Sequence, residues 1–235
     1  MPVAGKILSA VAMLMWIPAA VAGGLISDVD VDVQLVKTPV IEHRRGNVNS
    51  SRSRSVNQWL MIRVEYIAEK VSMPEPALKK NRSGYTLMLG GFVDDLKLDV
   101  KVLQNTGLKV GGKELYGMYT GKTEFYTIRG DGKRHAVMMF IPGGFLDRYS
   151  RQANGRIREC SKVDFKVEAI FSASGRELAR GYCGVSGSKT FEAACTMVPE
   201  NLRFSGGVIP RSRTPWAWLE TDDFDMERDL SVRQN

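Results

Sequence analysis

The sequence predicts an all-β protein, an antiparallel sandwich or barrel with one or two short helices. Three observations carry this expectation. Apolar and polar residues alternate in short runs along most of the chain, glycine-rich turn signals separate those runs, and helical periodicity is scarce. An apolar content of 43% with 25% charged residues suits a globular chain. Neither an internal repeat nor a Pro/Ser-rich linker divides it, so one core of about nine strands is expected.

The first 22 residues read as a leader rather than as part of the fold. Lys6 supplies a positive start, Ile7 to Ile17 form a short apolar run, and Ala20-Val21-Ala22 offers a small-residue cleavage pattern. A membrane anchor needs about 20 apolar residues and tolerates Pro18 poorly, so cleavage before Gly23 is the expectation. A prepilin leader fits less well, since the run lacks a glutamate near its start. The mature chain, residues 23–235, is then a single exported domain in the periplasm, on the outer-membrane surface or outside the cell.

The domain opens with DVDVDVQLV at 28–36, where Val29, Val31, Val33 and Leu35 share one face and Asp28, Asp30, Asp32 and Gln34 the other. Carboxylates spaced along a strand form a solvated face rather than a metal site. A polar, basic stretch at 44–58 reads as a long loop. Two further strands follow from strict alternation. Leu60, Ile62, Val64 and Tyr66 share a face in WLMIRVEYIA, as do Leu96, Leu98, Val100 and Val102 in DDLKLDVKVLQ. Other strand-like runs lie at 85–89, 114–119, 123–129, 135–141, 163–171 and 177–183, and short helical segments at 73–80 and 145–152.

Most chemistry is excluded or unsupported. A net charge of +7 spread along the chain is not a nucleic-acid footprint. Gly121-Lys122-Thr123 lacks the upstream glycine of a phosphate loop and reads as a β-turn. Ser186-Gly187-Ser188-Lys189 matches a serine β-lactamase pattern but has no partner motifs. With only His43 and His135 and no G-x-S-x-G elbow, a hydrolase would need a site assembled from distant residues. Cys160, Cys183 and Cys195 lack zinc spacing, and in an oxidising compartment one pair, undetermined, could bond. The tail acids from Asp223 miss the glycine and glutamate of a calcium loop, with Arg228 and Gln234 in those places. Neither a cofactor nor a metal is expected.

The densest segment is PRSRTPWAWLETDDFD at 210–225. Pro210 and Pro215 favour an extended path, which would turn Trp216 and Trp218 to one side. The segment reads as a terminal strap over the sandwich edge. Arg211, Arg213, Trp216, Trp218, Asp222 and Asp223 form a candidate partner-binding patch. A glycan platform, helped by Tyr116, Tyr119 and Tyr126, is the alternative.

The leader, the DVDVDVQLVKTP and QWLMIRVEY strands and the closing PRSRTPWAWLETDDFD segment together resemble a family of exported immunoglobulin-like proteins of Verrucomicrobia, encoded beside type IV pilus assembly genes in Akkermansia. The resemblance implies an immunoglobulin-like antiparallel β-sandwich. It also implies a non-enzymatic structural or interaction role, with protein partners in the cell envelope or pilus machinery.

Overall fold

The computed structural model describes residues 25–38, 58–70, 91–150 and 160–218. The leader at 1–22, the 44–57 loop, the runs at 73–80 and 85–89, His43, Asp222, Asp223 and the other tail acids lie outside these residues.

The strands, in chain order, begin with β1 (Ile26–Lys37), β2 (Gln58–Ala68), β3 (Phe92–Asp94) and β4 (Lys97–Val110). Next come β5 (Lys113–Glu124), β6 (Thr127–Arg129) and β7 (Arg134–Ile141), then helix α1 (Gly143–Ser150). The chain continues through β8 (Phe165–Ala173), β9 (Arg176–Cys183), helix α2 (Ser188–Thr196), β10 (Arg203–Ser205) and β11 (Ile209–Pro210). One sheet runs β1-β2-β7-β11, a second runs β10-β5-β4-β8-β9, and β3 pairs with β6 in a small third sheet. Pairing is antiparallel except between β10 and β5.

The order β1-β2-β7 facing β5-β4-β8-β9 places strands as A-B-E and C′-C-F-G stand in an immunoglobulin-type sandwich. The place beside β7 is filled from late in the chain, by β11.

The period-two pattern determines which faces meet. Leu60, Ile62, Val64 and Tyr66 on β2 are buried against Leu98, Val100 and Val102 on β4, as their alternation requires. In β1 a register shift between Ser27 and Asp30 carries Asp28 into positive φ, yet Val31 and Val33 still reach the core. The acidic face of β1 is solvated and charge-paired: Asp28 meets Arg134, and Asp32 lies 3.3 Å from Lys162.

Three expectations need correction. Gly121-Lys122-Thr123 is not a turn but lies inside β5, because β5 needs a residue without Cβ where the Val208 backbone crosses it. An added Cβ at Gly121 would stand 1.9 Å from the Val208 carbonyl oxygen. The 123–129 run is split, since buried Phe125 turns the chain inward between β5 and β6. Finally α2 was unforeseen. Its Phe191, Ala194 and Cys195, with Val198 just past its end, repeat at helical spacing and cover Leu103 and Tyr116 on the outer face of the second sheet.

Candidate interaction surface

The tryptophan-rich segment folds as two 3-10 turns, Arg211–Arg213 and Pro215–Trp218, rather than as an extended chain. The expected extended path between Pro210 and Pro215 is therefore replaced by tight turns of about three residues each. Thr214 explains the local fold. Its N–H donates to the Arg211 carbonyl, and its hydroxyl donates to the same oxygen at 2.7 Å while accepting from the Trp216 N–H at 3.2 Å. Arg211 Nε in turn donates to the Trp216 carbonyl at 3.2 Å.

Trp216 is thereby delivered onto the outer face of the first sheet, not onto the sandwich edge. Its ring stacks on Phe140 with centroids 4.7 Å apart, and Trp59 meets it edge-on at 5.2 Å. Trp59 Nε1 donates to Thr38 Oγ1 at 2.9 Å, which fixes that indole. Phe140 faces away from the main core, and its complete burial lies in this aromatic contact and its neighbours. Arg213 is exposed. Two of the tyrosines offered as glycan helpers are unavailable. Tyr119 lies in the core, with its hydroxyl donating 3.0 Å to the Phe145 carbonyl, and Tyr116 is buried beneath α2.

A second surface was not foreseen. Strand β4 pairs with β8 only as far as Gln104; beyond it the ladder with β5 alone breaks in a bulge over 106–108 and resumes with Lys109 opposite Glu114 and Val110 opposite Lys113. On the other side, β10 covers β5 only at Met118–Thr120. The β4–β5 hairpin therefore projects past its neighbours, closed by Gly111 and Gly112, both at positive φ as a two-residue hairpin turn needs. Leu108 and Val110 on it are 58% and 66% exposed. At its base a groove of about 310 Å³ is lined by Leu108, Leu115, Pro199 and Leu202, with Thr106, Arg148 and Asn201 as polar members. The signal was present in the sequence: the alternation of β4 outlasts its acidic and apolar core stretch and ends in Leu-Lys-Val before Gly-Gly.

The ionisable clusters are structural in arrangement. Glu168, 2% exposed in its side chain, is held by Arg180 at 2.9 Å, Lys101 at 3.1 Å and the Tyr182 hydroxyl at 3.3 Å. Arg180 also grips Glu177 at 2.6 Å, which holds the Glu177 carboxyl below its ordinary range. His135 stacks on Tyr66 at 5.4 Å and lies 3.3 Å from Asp131. Asp131 also accepts the Lys133 N–H at 2.9 Å, and these contacts outweigh its desolvation and lower its pKa. Ser186 of the β-lactamase-like pattern lies on the surface ahead of α2, 3.2 Å from Thr190 Oγ1. Cys183 and Cys195 are free thiols, which burial pushes up, while Cys160 Sγ accepts from Gln104 Nε2 at 3.3 Å. Among the described residues no group of His, Cys, Asp and Glu could hold a metal ion.

These features define an all-β, two-sheet sandwich with short helices, a face strapped by aromatic residues and a projecting hairpin. No family model matches the chain, and no curated protein matches it. Among solved structures it is similar to a protein from Akkermansia muciniphila, with a TM-score of 0.51 and 11% identity. The match covers 86% of this chain and 94% of that one, so the shared sandwich extends over most of both. At that identity the likeness shows the fold alone.

Proposed function

We propose that the protein is a non-enzymatic, exported structural or interaction protein of the cell envelope, associated with type IV pilus assembly. The projecting β4–β5 hairpin is the surface through which it docks a partner. The observation that carries this reading is the hairpin itself, whose end pairs with neither β8 nor β10 and exposes Leu108 and Val110. A strand edge with exposed apolar side chains is a template for strand addition, main-chain bonds giving affinity and side chains giving choice of partner.

The envelope address is supported by the leader pattern at 1–22 and by the family resemblance of the 28–39, 58–66 and 210–225 segments. Among the described residues no helix is long and apolar enough to cross a membrane. Trp216 does not offer an open platform for a glycan, since one ring face lies on Phe140.

Lysine-directed cross-linking in the source cells, followed by mass spectrometry, tests the reading. The expected product joins Lys109 or Lys113 to a pilus assembly or other envelope protein. Cross-links confined to other lysines, with none to the hairpin, overturn the assignment of the surface.

A further inference from the structure

The groove at the base of the β4–β5 hairpin holds two polar side chains that no carboxylate or carbonyl of the described fold satisfies. Arg148, in the last turn of α1, is exposed and is the only charged residue among the described residues that line it. Its guanidinium lies 5.1 Å from the Phe145 ring centre and 5.0 Å from that of Phe204, so two aromatic rings position it. It makes no ion pair among the described residues. Asn201, in the turn that leads into β10, also lines the groove, and its side-chain amide has no partner among the described residues. The rest of the polar lining is engaged. The Thr106 hydroxyl donates to the Leu115 carbonyl at 2.8 Å and accepts the Leu108 N–H at 3.2 Å, while the Gly107 N–H donates to Asn105 Oδ1 at 2.8 Å. The bulge therefore leaves the Gly107 and Leu108 amides no role in a ladder, and recognition at the hairpin's base falls to side chains.

We propose that this groove takes an acidic and apolar peptide segment of an envelope protein. A large apolar side chain of the segment enters between Leu108, Leu115 and Leu202. A neighbouring Asp or Glu carboxylate accepts from the Arg148 guanidinium, and the Asn201 amide meets the segment's main chain. The inference rests on the hairpin being the docking surface and names the chemistry of what docks there.

Charge complementarity selects this occupant. A guanidinium presents a planar fork that matches a carboxylate, and one already positioned by two rings loses less freedom when it binds. Lys109 and Lys113, which flank the glycine turn of the hairpin, add positive charge above the groove. The hairpin's own acid, Glu114, is engaged by the Tyr116 hydroxyl. Asp147 and Glu200 neighbour lining residues in the chain but do not line the groove. Its volume of about 310 Å³ stands at the small end of ligand sites, room for side chains rather than for a folded element. Asn201 carries both a donor and an acceptor, as a peptide group does. An acyl chain would leave that amide unused, which favours a peptide over an anionic amphiphile.

Fluorescence polarisation with the full-length protein tests the pairing. The probes are a library of labelled hexapeptides, each with one Asp or Glu close to a Leu, Phe or Met, and each paired with its Asn or Gln counterpart. Acidic peptides are expected to bind about tenfold or more tightly than their amide counterparts. That preference should vanish in Arg148→Gln and survive in part in Arg148→Lys, which keeps the charge without the fork. Asn201→Ala, at an exposed position, should weaken acidic and amide peptides alike, and thermal unfolding checks that each variant folds. Equal affinity for acidic and amide peptides, a preference that survives Arg148→Gln, or no peptide binding at all overturns the proposal. Arg148-dependent binding of laurate without peptide binding overturns it in favour of an anionic amphiphile. If the peptides fail while Lys109 or Lys113 still cross-links to an envelope protein in cells, only the groove's occupant fails and the docking surface stands. Absence of hairpin cross-links from the native chain overturns the docking surface itself.

Discussion

Trp216 stacks on Phe140 with 4.7 Å between ring centroids and 13° between planes, which ties the end of the described chain to the outer face of the first sheet. The contact has energetic consequences because Phe140 is buried although it faces away from the main core. Phe140→Ala is expected to cost about 3–5 kcal/mol, the range for a buried aromatic. Trp216→Ala, at a half-buried position, is expected to cost about 2 kcal/mol. A double-mutant cycle read by urea unfolding should give a coupling of about 1 kcal/mol. A coupling near zero would show that the strap is not held by this stack.

The crossing of Val208 over β5 makes Gly121 the least replaceable small residue of the sheet. Gly121→Ala forces the Val208 backbone away and is expected to destabilise by about 1–3 kcal/mol or more. Gly144→Ala is the matched control, since nothing lies within 4 Å of its added Cβ and α1 favours alanine by up to about 1 kcal/mol. Equal melting temperatures for the two variants would contradict the close approach.

Much of the fold was legible because alternation is a local signal. The faces of β2 and β4 could be read residue by residue, since each strand meets one core on one side. The 3-10 turns of the strap could not. Pro210 immediately before the first turn and Pro215 opening the second suit extended chain equally well, and the Thr214 hydroxyl decides the matter through contacts that spacing does not reveal. Helix α2 has its period in Phe191, Ala194, Cys195 and Val198, but the run is short and starts from Ser-Gly-Ser, which carries no apolar residue to extend the repeat. The hairpin surface was not legible, because the projection of a hairpin depends on where its neighbours stop.

Glu168 is predicted to be a stabilising rather than a catalytic group. Glu168→Ala removes the carboxylate shared by Lys101 and Arg180. Both cations are partly exposed and can recover water, so the expected loss is about 2 kcal/mol, below the figure for a fully buried pair. Chemical denaturation measures it. A loss below about 0.5 kcal/mol would place the cluster among ordinary surface pairs.

Acid should weaken the fold through particular carboxylates. Arg180 holds Glu177 below its ordinary range. At Asp32 burial opposes the shift, but the Gln34 amide and Lys162 outweigh it. A folded-state pKa below the unfolded one means that the unfolded chain binds more protons as pH falls. The stabilisation is therefore complete above the unfolded values, near pH 4, and is lost as pH drops through the folded ones. Urea midpoints should be flat from about pH 7 to 5 and fall below about pH 4. Arg180→Leu should flatten that fall, and an unchanged acid limb in this variant would contradict the role given to Arg180.

The docking surface is tested most directly by comparing two full-length proteins, the native chain and Leu108→Asp with Val110→Asp, in cross-linking captures from the source cells. Both positions are exposed, so stability should change by no more than about 0.5 kcal/mol. The account predicts that pilus assembly or other envelope proteins joined through Lys109 or Lys113 are lost from the variant while its fold is retained. The same envelope proteins captured equally by both chains, through lysines away from the hairpin, would contradict it.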